Sequence, residues 1–323
     1  MSTIDRDVPF PTAASSAKPI NVKAGLPPRT LLSARWAETL LGYVFLLPSL
    51  VLFGIFLFYP LLQTVYLSMH ETDPRGRVAD YVGFDNFIAI FTSERFYQSL
   101  KVTGQFTLLT VPASILLALL LAALTHNHLK GMRFFQFVFS LPVVLSVGTS
   151  SVIWMMLFHP SVGMLNYLLQ AAGLEPVAWL TDPRWALLSV SLMTVWMNLG
   201  FNYIVLFSGL QGIPDDIYDS ALIDGSGPIR TFVQIVMPLL SPTLFFVTIV
   251  SIIGAFQSFG QIHILTKGGP VNTTDVLVYT LYQDAFINFR FGIGSAQALV
   301  LFTIILLLTL LQFKVFERNV HYQ

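Results

Sequence analysis

The sequence predicts an all-α integral membrane protein with six transmembrane helices. Composition predicts it first. Of 323 residues, 11% are Asp, Glu, Lys or Arg and 54% are hydrophobic, whereas a soluble domain carries about 25% charged residues. Patterning predicts it second. The stretches 39–70, 102–129, 134–174, 185–214, 231–266 and 291–313 contain no Asp, Glu, Lys or Arg. Each is longer than the ~20 residues that cross hydrocarbon as a helix.

Residues 1–35 are rich in Ala, Ser, Pro and Thr and are expected to form a disordered cytoplasmic tail. With a polar start and a long first apolar run, no cleavable signal peptide is expected. Spans are expected near 40–62, 104–124, 136–158, 187–209, 237–259 and 296–316 of a six-span domain, 36–323. The stretch 134–174 is too polar after Phe158 to hold two. Loop charge sets the orientation: 125–133 carries Lys130 and Arg133 with no acid, and both tails are basic. Positive loops stay in the cytoplasm, so both termini and the segment 211–230 are expected there.

That segment is built to be rigid. Pro214 opens a helix without losing a hydrogen bond. Asp215, Asp216 and Asp219 sit toward its positive end. Asp224-Gly225 is a stop signal, because glycine takes the left-handed conformation. Pro228 opens a second helix that runs into the next apolar stretch. The expected result is a helix–turn–helix elbow at the membrane surface.

From Asp219 to Pro238 the elbow resembles the "EAA" loop of the permease subunits of ATP-binding-cassette importers. That pattern is Glu-Ala-Ala, two residues, Asp-Gly-Ala, then phenylalanine and proline. Asp219 stands at the Glu position, with Ser220, Ala221 and Ser226 at the alanines. Asp224, Gly225, Phe232 and Pro238 match. Tyr81-Val82-Gly83-Phe84-Asp85-Asn86-Phe87 resembles the "VGLxNF" stretch of sugar-type permeases, and Leu265-Thr266-Lys267-Gly268-Gly269-Pro270 resembles their "LTxGGP" turn. The ending, residues 313–323, is most similar to permeases of the glycerol-3-phosphate importer. The resemblance covers residue 36 to the C-terminus. It implies the type I importer permease fold, a second homologous permease, a homodimeric ABC ATPase and an extracytoplasmic solute-binding protein. Asp219, Ser220, Ala221, Asp224, Gly225 and Ser226 would couple to the ATPase.

The spans carry no ionisable side chain except edge histidines: His70, His126, His128, His159 and His263. Ion-coupled carriers place carboxylates or histidines at mid-membrane, so energy is expected to enter elsewhere, through the elbow. Neutral polar residues are the candidates for the path. Asn198 and Asn202 lie in the fourth span, and Gln257, Ser258 and Gln261 in the fifth. Amides and hydroxyls beside aromatic rings suit hydroxyl-rich ligands, though they also bond helix to helix. The resemblance to maltose-type permeases implies that Leu199, Gly200, Tyr203, Gln257, Ser258 and Gln261 contact the substrate, with Asn202 as a neighbour.

Zero net charge gives no reason to expect nucleic acid. The absence of Cys excludes disulfides and thiolate chemistry. No G-x-x-x-x-G-K loop occurs, so the chain is not expected to hydrolyse ATP by that route. No metal or cofactor is expected; membrane lipid and a small-molecule substrate are. The expected function is a permease subunit of an ATP-driven importer for sn-glycerol-3-phosphate, glycerophosphodiesters or a sugar. The alternatives are an importer permease for a non-sugar solute and, at greater distance, a secondary transporter. A phosphate calls for Arg, Lys or helix N-termini, and the absence of Lys and Arg from the spans favours a neutral sugar.

Overall fold

The computed structural model describes residues 31–73, 75–126 and 131–316. The expected tail falls mainly on residues 1–30, outside the described residues; residues 31–35 already belong to the first helix. Lys130 and the end of the C-terminal resemblance also lie outside.

The chain divides into two compact units, Met1–Tyr59 and Pro60–Gln323. In the first unit, helix Leu31–Phe53 runs into a π-helical turn, Gly54–Phe58. From Leu40 to Tyr59 its large apolar side chains are exposed around the whole circumference. A helix apolar all round belongs in lipid or against other helices. The π-turn has a covalent cause. The Tyr59 N–H donates to the Gly54 carbonyl, and Pro60 follows. A proline ring clashes with the carbonyl four residues back, and the wider turn relieves the clash. The same device recurs at Phe232–Val236, where the Met237 N–H donates to Phe232 just before Pro238.

Among the described residues, five helices are long and apolar enough to span: Thr39–Ser68, Glu94–Thr125, Ala186–Gln211, Ser241–Leu265 and Phe291–Val315. The sixth crossing departs from expectation. It is not one helix over 136–158 but Met132–Val144 followed by Val147–Leu157, bent by 106°. Pro142 lies in a 3₁₀ turn, Leu141–Val144, and Leu145 is extended. Ser146 then caps the new helix, accepting from the Thr149 N–H at 3.2 Å. The apolar run shows length, while the break depends on this proline and cap. The fifth span is also interrupted: helix Ser241–Phe256 stops at Gln257 and restarts as Gly260–Leu265.

The second span begins earlier than expected, at Glu94, and so contains Glu94, Arg95 and Lys101. Its burial follows the helical period. Phe96, Ser99, Thr103, Phe106, Thr110, Ser114, Ala118 and Ala122 are buried, while Lys101, Gln105, Leu108, Leu116 and Leu120 are exposed. Thr103, Thr107 and Thr110 donate to carbonyls four residues back at 2.7–2.8 Å, which satisfies hydroxyls that lipid cannot.

The second and fourth spans pack along the main core. Val111, Ala118, Leu119, Leu206 and Leu210 meet Val236, Leu240 and Val247 there. A second cluster gathers Phe106, Met193, Ile262, Leu265 and Tyr279. A third joins Phe96, Phe256, Leu277 and Ala296.

A small antiparallel hairpin, His70–Thr72 with Val78–Tyr81, follows the first span. The motif after it has a structural task. Asn86 Nδ2 donates to the Ser68 and His70 carbonyls at 2.9 and 3.1 Å, pairing a carbonyl that the helix end leaves unmatched and one at the start of the hairpin. The segment after the Gly-Gly-Pro turn is held by Asp275. It is 2% exposed and accepts from Arg95 Nη2 at 2.8 Å and Thr280 Oγ1 at 3.0 Å. Arg95 also donates to Gln283.

Candidate translocation site and coupling elbow

The elbow forms as the sequence predicts, with one shift: Pro214 is the N-cap of helix Asp215–Ile223, not its first turn. Gly225 has φ +70°. Its N–H donates to Leu222 at 3.0 Å, and the Ser226 N–H donates to Ala221 at 2.9 Å. This paired closure is the Schellman motif, and it requires a left-handed residue at that point. Helix Pro228–Thr231 restarts the chain, with Thr231 Oγ1 donating to Ser226 Oγ at 3.0 Å.

The elbow has two faces. Ala221 is 3% exposed, and Ile213, Ile217 and Tyr218 pack onto the cluster containing Leu210, Val236 and Leu240. Burial, then the charge of Asp215, pushes the Tyr218 hydroxyl pKa up. The other face is open. Leu222, Ile223 and Ile229 are 73%, 86% and 80% exposed, and Asp219, Ser220 and Asp224 are exposed beside them. An apolar patch rimmed by carboxylates is a protein-docking surface in kind. The packed inner face joins that surface to residues of the fourth span and of the segment leading into the fifth.

The span residues separate into packed and open ones. Tyr203 is 2% exposed; its hydroxyl bonds Thr125 Oγ1 at 2.7 Å and its ring stacks on Phe207. Asn202 donates to Ser114 Oγ at 3.2 Å and accepts from Ser251 Oγ at 3.4 Å, so it links three spans. Leu199 belongs to the main core. Gly200 is a close approach: a Cβ there would lie 2.5 Å from the Val143 nitrogen. Ser258 Oγ donates to Gly254 at 2.9 Å, and Gln261 Nε2 reaches Thr194 Oγ1 at 3.4 Å. Gln257 alone of the seven is exposed, at the end of the first fifth-span helix.

The break of the third segment lies beside these residues. Gly200 meets its backbone at Val143, and a Cβ on Gly260 would lie 2.8 Å from Val147 Cγ1. Two interrupted helices therefore meet against the fourth span. Ser146, Val147, Gly148 and Thr149 are exposed at the start of the restarted helix. The first N–H groups of a helix lack partners within it and favour negative charge. Pro142 can kink a span on sequence grounds, but the restarted helix is not foreseen there; Ser146, three residues before Thr149, is the signal for it. Among the described residues no cluster of His, Asp or Glu could hold a metal ion.

Comparison with known proteins gives one consistent picture. The family described as binding-protein-dependent transport system inner membrane component matches residues 106–322. The chain is 37% identical, over 90% of its length and 99% of the relative's, to the sn-glycerol-3-phosphate transport system permease protein UgpA of Agrobacterium fabrum. It is 32% identical to the UgpA of Escherichia coli O157:H7, over 91% of the chain and 99% of that relative. A solved bacterial alginate ABC transporter, in complex with an alginate pentasaccharide-bound periplasmic protein, superposes with TM-score 0.77 at 26% identity. That match covers 89% of this chain and 97% of the other.

Proposed function

Because this chain belongs to the family of binding-protein-dependent transport system inner membrane components, a transport subunit and not an enzyme, we propose that it moves sn-glycerol-3-phosphate or its glycerophosphodiesters across the inner membrane. The single observation that carries the substrate is the name shared by relatives at 32–37% identity over nearly the whole chain. The complete importer contains a second homologous permease, two copies of an ABC ATPase and an extracytoplasmic binding protein. Both termini lie in the cytoplasm. The Leu222, Ile223 and Ile229 face of the elbow, with Asp219 beside it, seats the ATPase. Closure of the ATPase moves the elbow, the two permease halves rock, and the path opens alternately to each side.

Within that path Gln257 faces the substrate, and Ser258 and Gln261 hold the interrupted helix that presents it. Tyr203, Asn202, Leu199 and Gly200 shape the wall by packing. The expected conflict over phosphate has a physical answer in the break of the third segment. Interrupted helices of transporters turn N-terminal N–H groups toward anionic substrate groups. Val147 and Gly148 supply such groups beside the fourth and fifth spans, which carry no Lys or Arg.

A neutral sugar is the second reading, favoured by that absence of cations. Uptake of radiolabelled sn-glycerol-3-phosphate by proteoliposomes holding the full importer and its binding protein tests the first. ATP-dependent, vanadate-sensitive uptake is expected. Uptake of maltose but not of the phosphoester would establish the second, and uptake driven by a proton gradient without ATP would refute both.

A further inference from the structure

A groove of about 470 Å³ lies between the start of the second span and the start of the fourth. Lys101 and Arg184 line one end with Gln98 and Gln105, and Leu108 and Leu188 line the other. Arg184 precedes the helix whose far end, Gln211, leads into the elbow, so the groove opens on the membrane face opposite the elbow. We propose that this groove binds a phospholipid with an anionic headgroup.

The exposed stripe of the second span carries the proposal. Gln98, Lys101, Gln105 and Leu108 follow one another at helical spacing on the exposed side. That face changes from polar to apolar between Gln105 and Leu108, and Leu116 and Leu120 continue it at 65% and 56% exposure. From Lys101 to Leu108 is about 10 Å along the axis, roughly the step from a headgroup phosphate to the first acyl carbons. Tyr97 and Trp185, 55% and 38% exposed, mark the same level, where such rings settle in a bilayer.

The charges suit an anion. Lys101 makes no ion pair among the described residues. Arg184 gives Nε and Nη2 to Asp182, which leaves Nη1 for a second acceptor. A free phosphoester would use the cations but leave the leucines in contact with nothing. A lipid uses both ends of the groove.

Native mass spectrometry of the assembled importer tests this, with phosphatidylglycerol and phosphatidylcholine supplied in equal amounts. Retention of phosphatidylglycerol over phosphatidylcholine is expected. Removing one cation near the surface weakens an anionic lipid about five-fold. Lys101→Gln is therefore expected to lower retention by that factor and Lys101→Arg to restore it. Arg184→Gln is the second variant, scored like the first only on complexes of intact mass. Equal retention of the two lipids would overturn the proposal. So would unchanged retention in both Gln variants, or displacement of phosphatidylglycerol by millimolar sn-glycerol-3-phosphate. A wild-type complex that retains no lipid would mean that protein fills the groove, and would overturn it as well.

Discussion

Tyr203 and Thr125, 78 residues apart, share a hydrogen bond of 2.7 Å between their hydroxyls. The bond ties the last turn of the second span to the middle of the fourth. It also uses the polar atom through which Tyr203 would meet a substrate. Tyr203→Phe is expected to cost the assembled complex about 1 kcal/mol, the usual worth of one such bond. Uptake per folded complex should stay near wild type. A large loss of specific uptake at unchanged melting temperature would return Tyr203 to the substrate path.

Gln257 and Gln261 are expected to differ. Gln257 is exposed, and Gln261 is 3% exposed against Thr194. Gln257→Ala should lower uptake several-fold and leave the melting temperature in place. Gln261→Ala should lower the melting temperature first, because it removes a buried contact between the fourth and fifth spans and leaves a void at a packed position. Uptake and melting measured on the same purified variants separate the two; identical behaviour would contradict the division of the site into open and packed residues.

Gly225→Val acts through the backbone alone. A Cβ at Gly225 meets nothing within 4 Å, yet its φ is +70°, a conformation that costs a branched residue about 1–3 kcal/mol. Loss of the ATPase on purification, or ATP hydrolysis uncoupled from uptake, is expected. Gly225→Asn should be milder, since Asn tolerates the left-handed region. A Val variant that assembles and transports normally would exclude the coupling role.

Asp275→Leu and Arg95→Leu should not be equivalent. Asp275 is almost wholly buried, whereas the Arg95 side chain is 37% exposed. Removing Arg95 strands a buried carboxylate, for which about 3–5 kcal/mol is typical. Removing Asp275 leaves an arginine that can turn toward water. The thermal stability of the two variants, ranked with Arg95→Leu the lower, checks this.

Labelling tests the orientation. A cysteine at Ser220, on the exposed elbow, should react only from the cytoplasmic side. One at Glu175, exposed in the 159–184 loop, should react only from outside. The reverse pattern would overturn the assignment of both termini to the cytoplasm.

The elbow and the spans were legible in the sequence because both rest on local physics. A run of apolar residues long enough for lipid, proline at a helix start and glycine at its stop act within a few residues of themselves. The sequence by itself therefore determined the class, the number of apolar stretches and the helix–turn–helix elbow. It did not determine which polar residues are spent on packing. Asn202 finds Ser114 and Ser251, and Gly200 meets Val143, only because spans distant in the chain are brought side by side. The bend at Leu141–Ser146 follows the same rule. Pro142 permits a break, but Gly200 and Gly260 leave the space that receives it. Tertiary contact decided which of the polar and small span residues are wall and which are open, since hydrogen-bond partners and free volume belong to pairs of helices.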